Sequence, residues 1–287
     1  MKIFKMRYLI LFALIFIGYG SIAQEKTKKH IFLNKGQKIN VVNTISSDAD
    51  MGMGMQMKTN MVSNGILSVT GENEKEYTLT NTLTRMKGTM DVMGKTHDFD
   101  SENESDRNSE IGKSLSASLG KSDSVVVNKF SGMVAFEKKD TSLDKSEPNP
   151  MEDMIKAFGN DGDNTSITGA FLIIPAGKKA GDSWTETDSS KEKKSVIKYT
   201  INSISNGTAT VSFQTTMDNT SMVEVQGSQM NVSINTKSKG EILSNIKTGL
   251  VNKRIIDSDI SGTIDIMGQS MPITAKNSLT SLFTLSE

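Results

Sequence analysis

The chain contains no cysteine. Disulfides, thiolate metal sites and a lipid-modified cysteine are therefore excluded, and the fold must be held by core burial alone. Histidine occurs only twice, at His30 and His97, which narrows any imidazole chemistry to two positions. Charge of one sign is also missing: 33 basic residues face 33 acidic ones. Without a basic excess there is nothing to draw nucleic acid, and no polybasic tract addresses an anionic membrane. Only 4 prolines occur in 287 residues, none central to a convincing strand, so little interrupts extended structure. Long apolar runs are absent beyond the first twenty residues, which leaves no further candidate for a membrane-spanning helix.

What is present begins with a leader. "MKIFKMRYLILFALIFIGYGSIA" has Lys2, Lys5 and Arg7 at a positive end, an apolar run from Tyr8 to Ile17, and Ser21 and Ala23 as small cleavage-site residues. A spanning helix wants roughly 20 apolar residues, and Gly18 and Gly20 end this run early. Residues 1–23 are expected to be a signal peptide cleaved before Gln24, making the protein exported, either periplasmic or secreted, with no transmembrane span afterwards. Loss of Lys2, Lys5 and Arg7 leaves 30 basic against 33 acidic residues.

Period-two alternation dominates the remainder. "YTLTNTLT" (77–84), "SVIKYTINSI" (195–204), "TATVSFQT" (208–215) and "MNVSINT" (230–236) each alternate apolar residues with Thr, Ser, Asn or Lys. Such runs bury one face and wet the other, as antiparallel sheets do. Asn64-Gly65 and Asn206-Gly207 are the dipeptides of type I′ hairpins. The fold class is all-β, mainly antiparallel hairpins in a meander. One short helix is expected near 150–158, where Asn149 can cap, Pro150 opens, and Met151, Met154, Ile155 and Phe158 form a stripe. Polar stretches surround it, so residues 138–167 read as a linker between a β-rich N-terminal half (24–137) and a β-rich C-terminal half (168–287). "SENESDRNSE" (101–110) reads as a solvated loop.

An internal repeat supports two pseudo-repeated halves. "GTMDVMGK" (88–95) and "GTIDIMGQ" (262–269) agree as Gly-Thr-apolar-Asp-apolar-Met-Gly-polar, with "VEVQGSQMNVS" (223–233) a looser relative. Each is expected to be a hairpin tip, with Gly94, Gly227 and Gly268 at the turn. "FLIIPAGKKAGDSW" (171–184) resembles a segment of an uncharacterised family of secreted or periplasmic β-rich proteins of Gram-negative bacteria. The resemblance implies a two-half exported β-protein and brings no activity with it.

Candidate chemistry is sparse. "KGTMDVMGKT" is not a phosphate loop, because five residues separate Gly88 from Gly94 where the motif spaces its glycines as Gly-x-x-x-x-Gly-Lys. His97, Asp98 and Asp100 fall short of the convergent ligand set that zinc requires, since neighbours in a strand face opposite sides. Asp161, Asp163 and Asn164 lack the distal glutamate of an EF-hand. No Gly-x-Ser-x-Gly elbow occurs, so a hydrolase would need a site assembled from distant residues around His30 or His97. No cofactor is expected.

Methionine is the remaining signal. Met51, Met53, Met55, Met57 and Met61 fall within eleven residues. Thioethers suit Cu(I), but the i, i+2 spacing is also that of a sheet face, and methionine is common at adaptable apolar binding surfaces. Comparison with the hairpin repeat places Met51 and Met53 off the main core. The candidate ligand-binding residues are Met51, Met53, Met57 and Met61, with Trp184 as a core anchor or stacking platform. The expected function is a non-enzymatic envelope or periplasmic β-protein that binds an apolar small molecule or an envelope protein. The alternatives are a periplasmic Cu(I)-binding protein and the dispersed-site hydrolase.

Overall fold

The computed structural model describes residues 30–52, 54–109, 112–113, 116, 119–136, 167, 169–190, 193–225, 228–266 and 269–286. Twelve antiparallel strands form one sheet. They are β1 (Lys38–Asp50), β2 (Gln56–Glu72), β3 (Glu76–Val92), β4 (Lys95–Asp100), β5 (Ser122–Asn128), β6 (Val134–Phe136), β7 (Ser183–Ser189), β8 (Lys193–Ser205), β9 (Thr208–Val225), β10 (Ser228–Asn245), β11 (Val251–Ile266) and β12 (Gln269–Leu285). Their order across the sheet is β6-β5-β3-β2-β1-β12-β11-β10-β9-β8-β7, with β4 beside the far end of β3. The all-β meander read from alternation is the architecture observed. The first and last strands meet at the centre, from Ile39 opposite Leu285 to Asp50 opposite Thr274. One continuous sheet thus runs through strands from both ends of the chain. The leader and the helix expected near 150–158 lie outside the described residues.

The hairpin turns follow from local chemistry. Asn206 and Gly207 both have positive φ (50° and 76°) between β8 and β9, the type I′ geometry this dipeptide favours. Met93 and Gly94 do the same (55° and 79°) between β3 and β4. Asp91 holds that turn by accepting from Gly94 N at 2.9 Å and Thr96 Oγ1 at 3.0 Å. Pairing also runs to Ile266 opposite Gln269 and to Val225 opposite Ser228, which joins β11 to β12 and β9 to β10; the turn glycines expected there, Gly227 and Gly268, lie outside the described residues.

Asn64-Gly65 behaves differently. It lies inside β2, where β1 pairs through without interruption and β3 skips Thr84 to form a bulge. The glycine serves close approach, since a Cβ there would stand 3.2 Å from the Thr82 carbonyl. A hairpin was expected at this dipeptide, but the apolar alternation continues on both sides of it and the strand pairing prevails. The solvated stretch at 101–110 contains a five-residue helix, α1 (Glu104–Asn108), whose N-cap Asn103 accepts from Ser105 N at 3.0 Å. Asp106 then accepts from Asp100 N at 3.0 Å and ties the turn back to β4.

The sheet is curled. Ile31 N donates to the Lys129 carbonyl just past β5, and the next residue, Phe32, donates to Thr248 between β10 and β11, both at 2.8 Å. Successive Cα atoms are roughly 3.8 Å apart, so these two carbonyls lie within about 10 Å of each other. In a flat sheet of this order, five strand spacings would separate β5 from β11, roughly 24 Å. The strands therefore bend into a trough whose end is stoppered by 30–33 and 169–174. Phe171 pairs with Leu250, and Leu172 N donates to Gly249 O at 2.9 Å. Tyr77 Oη accepts from Leu33 N at 3.2 Å. Lys129 lies 4.4 Å over the Tyr77 ring and is paired with Glu72 at 2.6 Å.

The main core gathers at this stoppered end. Ile31, Ile39, Leu67, Leu79, Val125, Ile167, Ile201, Val211, Val251 and Phe283 are all inaccessible. At roughly 1.5–3 kcal/mol of apolar transfer each, these side chains fix one end of the sheet. The strands run on well beyond it: β10 alone has 18 residues, an extension of roughly 60 Å.

Candidate functional site

Cross-strand partners in an antiparallel sheet share a face, so the register assigns every residue to the inside or outside of the trough. The outside carries a charged row. Asp91, Lys58, Asp48, Lys276, Asp259 and Lys237 stand side by side on β3, β2, β1, β12, β11 and β10, alternating in sign. Lys58 and Asp48 form an ion pair at 3.3 Å. This is a solvated surface that keeps register; it offers no concentrated charge to a ligand.

The inside changes character along the strands. At the margin of the main core comes a row with Asn43, Ser281 and Arg254 on β1, β12 and β11, followed by the core residues Ile242, Val211 and Ile201. The next row is apolar across ten strands and includes Phe99, Met61, Ile45, Leu279, Ile256, Phe213, Tyr199 and Trp184. Gly240 stands in this row, where a Cβ would strike the Ile255 carbonyl and the Phe213 ring. A polar row follows, in which Ser47 Oγ donates to Asn277 Oδ1 at 2.7 Å and the Ser238 and Ser258 hydroxyls are 2.8 Å apart. Ala49, Ala275, Ile260, Thr236 and Met217 form the row after that. Ile45, Leu279, Ile256, Ile260 and Met217 remain half-buried rather than sealed.

The methionines occupy this same inner face. Met51 is buried in a second, smaller cluster with Val232, Ile264 and Ile273, and Met55 and Met57 pack against it. Met51 thus lies away from the main core but is not exposed. Met61 is buried one row from Asn43, beside Ile45. Met53 lies outside the described residues. The turn that carries these residues is closed by Met51 N to Met55 O and Met55 N to Gly52 O, each at 2.9 Å. Its chain reversal is longer than the two-residue tip at Met93-Gly94.

Trp184 stands at the edge strand β7, stacked on Tyr199 with ring centroids 4.8 Å apart and planes at 18°. Its Nε1 donates to Glu186 Oε1 at 3.1 Å. One indole face is therefore already taken up by packing against the core. Burial pushes the Tyr199 phenol up to about 12, the Glu186 carboxylate adds to this, and Arg254 opposes it. Burial in turn lowers the Arg254 guanidinium from its usual value, with Tyr199 opposing.

Arg254 is the residue that sequence reading missed. Its guanidinium lies 5.3 Å over the Phe213 ring, and Gly169 of the stopper sits so close that a Cβ would meet it. Arg254 Nε, Asn43 Oδ1 and Ser281 Oγ are all inaccessible, and none has a hydrogen-bond partner. The signal was present as a defect in alternation. Ile39, Val41 and Ile45 bracket Asn43; Leu279 and Phe283 bracket Ser281; Val251 and Ile256 flank Arg254. Only the register shows that the three defects are neighbours.

The two histidines are placed apart. His97 is exposed on β4 opposite Met90, and His30 packs against Phe32 and Phe130 at ring distances of 6.0 and 6.1 Å. Among the described residues, no group of three or more His, Asp or Glu side chains is arranged to hold a metal ion. Asp98, Asp100, Glu102 and Asp106 line a depression beside α1, with Arg85 and Lys87 paired to Asp100 at 3.3 and 3.2 Å. The backbone amide of Glu102 above all, with the two cations, holds the Asp100 carboxyl below its usual range.

Residues 74–251, which run from just before β3 to the first residue of β11, match the model of a family of unknown function, DUF6263. The chain belongs to that family. No match was found among curated proteins. Among solved structures, the chain is similar to lipovitellin, described for its lipid–protein interactions, at 7% identity and a TM-score of 0.49 over 89% of this chain. That alignment spans only 26% of the lipovitellin chain. An outer membrane channel from Pseudomonas putida F1 aligns at 8% identity and a TM-score of 0.29, over 88% of this chain and 97% of the channel. OccK5 (OpdH) of Pseudomonas aeruginosa aligns at 6% identity and a TM-score of 0.22, over 89% and 99% of the two chains. This DUF6263 member has, among its described residues, no helix long and apolar enough to cross a membrane.

Proposed function

We propose that this DUF6263 protein is an exported, non-catalytic envelope or periplasmic protein that binds an apolar ligand, or the apolar part of another envelope component, in its trough. The observation that carries the reading is the inner face beyond the stopper. There Ile45, Leu279, Ile256 and Ile260 line up across neighbouring strands yet stay half-buried. A soluble sheet normally seals such a face, and a contiguous apolar patch left open marks an interaction site. Met57 and Met61 extend the surface toward the far end, where pliable thioethers adapt to varied shapes. Met51 belongs to the turn that bounds it, and Trp184 closes its edge at β7. The leader at 1–23 supports export. The test is purification of the mature protein from its native envelope fraction, followed by mass spectrometry of extracted lipids. A stoichiometric apolar compound is expected; a protein that emerges empty and does not enhance an apolar fluorophore would refute the reading.

A second reading, Cu(I) binding, draws on the packing of Met51, Met55 and Met57 in one cluster. Replacing Met51, Met53, Met57 and Met61 with Leu preserves the apolar volume and removes four sulfurs. If Cu(I) affinity is unchanged by that set, the copper reading fails.

A further inference from the structure

Arg254 carries a positive charge on the inner face of the trough; the residue is half-buried, its Nε is inaccessible, and no carboxylate is paired to it among the described residues. Charges drawn out of water are normally paired, because an isolated one loses its hydration without compensation. Here the cation's neighbours along the row are also unsatisfied: Ser281 stands directly opposite Arg254, and Asn43 directly opposite Ser281. Asn43 is 7% exposed and Ser281 1%. Their side-chain oxygens, like Arg254 Nε, are inaccessible and lack hydrogen-bond partners. Two of these groups, Arg254 Nε and Ser281 Oγ, are donors on adjacent strands, one of them cationic, and are matched by a single anionic group that accepts from a guanidinium and a hydroxyl; Asn43 Oδ1 is an acceptor and takes no part in that pairing.

We propose that Arg254 and Ser281 receive the head group of a single-chain carboxylate amphiphile, an ionised fatty acid, whose hydrocarbon tail lies along Ile45, Leu279 and Ile260. The proposal rests on the apolar-ligand reading above and specifies its ligand. The planar guanidinium presents a fork that fits a carboxylate. One cation neutralises one negative charge, and its neighbours in the row are neutral, so a dianionic phosphate monoester would leave surplus charge in a site of low polarity. Along β1, the rise from Asn43 to Ala49 is roughly 20 Å, which accommodates an extended chain of the length of hexadecanoate. Between the apolar rows, Ser47 is bonded to Asn277 and Ser238 to Ser258, so the tail does not strand these groups.

The experiment compares hexadecanoate with hexadecanol, an uncharged chain of equal length, by displacement of an apolar fluorophore from the delipidated mature protein. The wild type is expected to bind the carboxylate at least tenfold more tightly. Arg254→Met should abolish that preference, and Arg254→Lys should retain part of it. Equal wild-type affinity for the two ligands would overturn the head-group assignment and leave the apolar trough standing. Failure of both ligands to bind would overturn the trough and the head-group assignment together. If Arg254→Met does not fold, Ser281→Ala serves in its place, with a threefold or greater loss for hexadecanoate alone expected; no loss would count against the assignment.

Discussion

At the scale of single residues, two interior groups are held in protonation states that the surroundings do not favour equally. The Tyr199 phenol is pushed up to about 12 by burial and by Glu186, from an ordinary value of 10.0. A proton held more tightly in the folded than in the unfolded chain is retained between those two values. Unfolding then releases it, so stability is unaffected below pH 10 and falls as pH rises from 10 toward 12. Thermal melts of Tyr199→Phe should therefore show a shallower alkaline decline over that window than wild type; superimposable declines would contradict the burial argument. Arg254 gives the opposite case, a cation disfavoured by its site. In delipidated protein, Arg254→Met should raise the melting temperature, since an apolar group of similar length replaces an uncompensated charge. Added hexadecanoate should narrow that difference by stabilising the wild type alone.

At the scale of elements, the hairpins show what the sequence expressed and where it was overruled. Asn206-Gly207 makes a type I′ turn because both residues tolerate positive φ cheaply. Asn64-Gly65 carries the same letters but sits within a strand, where pairing on both sides decides the outcome. Local chemistry proposes turns; the continuity of the apolar pattern disposes of them. Met93 is the informative exception, an unbranched residue forced to φ 55° at a tight tip. The left-handed region costs such a residue roughly 1–2 kcal/mol, most of which asparagine avoids. Met93→Asn is expected to stabilise the protein by about 1 kcal/mol in urea unfolding, and Asn206→Ala to destabilise it by a similar amount. The side chain of Met93 is 65% exposed, so its loss removes little packing. A neutral or negative effect of Met93→Asn would show that the turn is not strained. The polar row at Asn43, Ser281 and Arg254 was illegible for a related reason. Each residue reads as a minor flaw in its own strand, and adjacency arises from pairing across 238 positions of chain between Asn43 and Ser281.

At the scale of the whole molecule, the meander on either side of the centre is built from neighbours in sequence, while the β1–β12 seam joins the two ends. Local contacts form early at small entropic cost, and closure of a loop this long comes late. The sheet should fold outward from its hairpins and only then zip together at the seam. Two substitutions separate these steps. Asn206→Ala weakens the β8–β9 turn and should slow refolding, with its effect mostly on the folding rate. Leu279→Ala removes a half-buried side chain that faces Ile45 across the seam; it should leave the folding rate nearly unchanged and speed unfolding. Stopped-flow chevrons distinguish the two patterns. A high fractional effect on folding for Leu279→Ala would mean that the ends meet first. The seam would then be the nucleus of the sheet, and the trough would form around the site at Arg254 rather than close over it last.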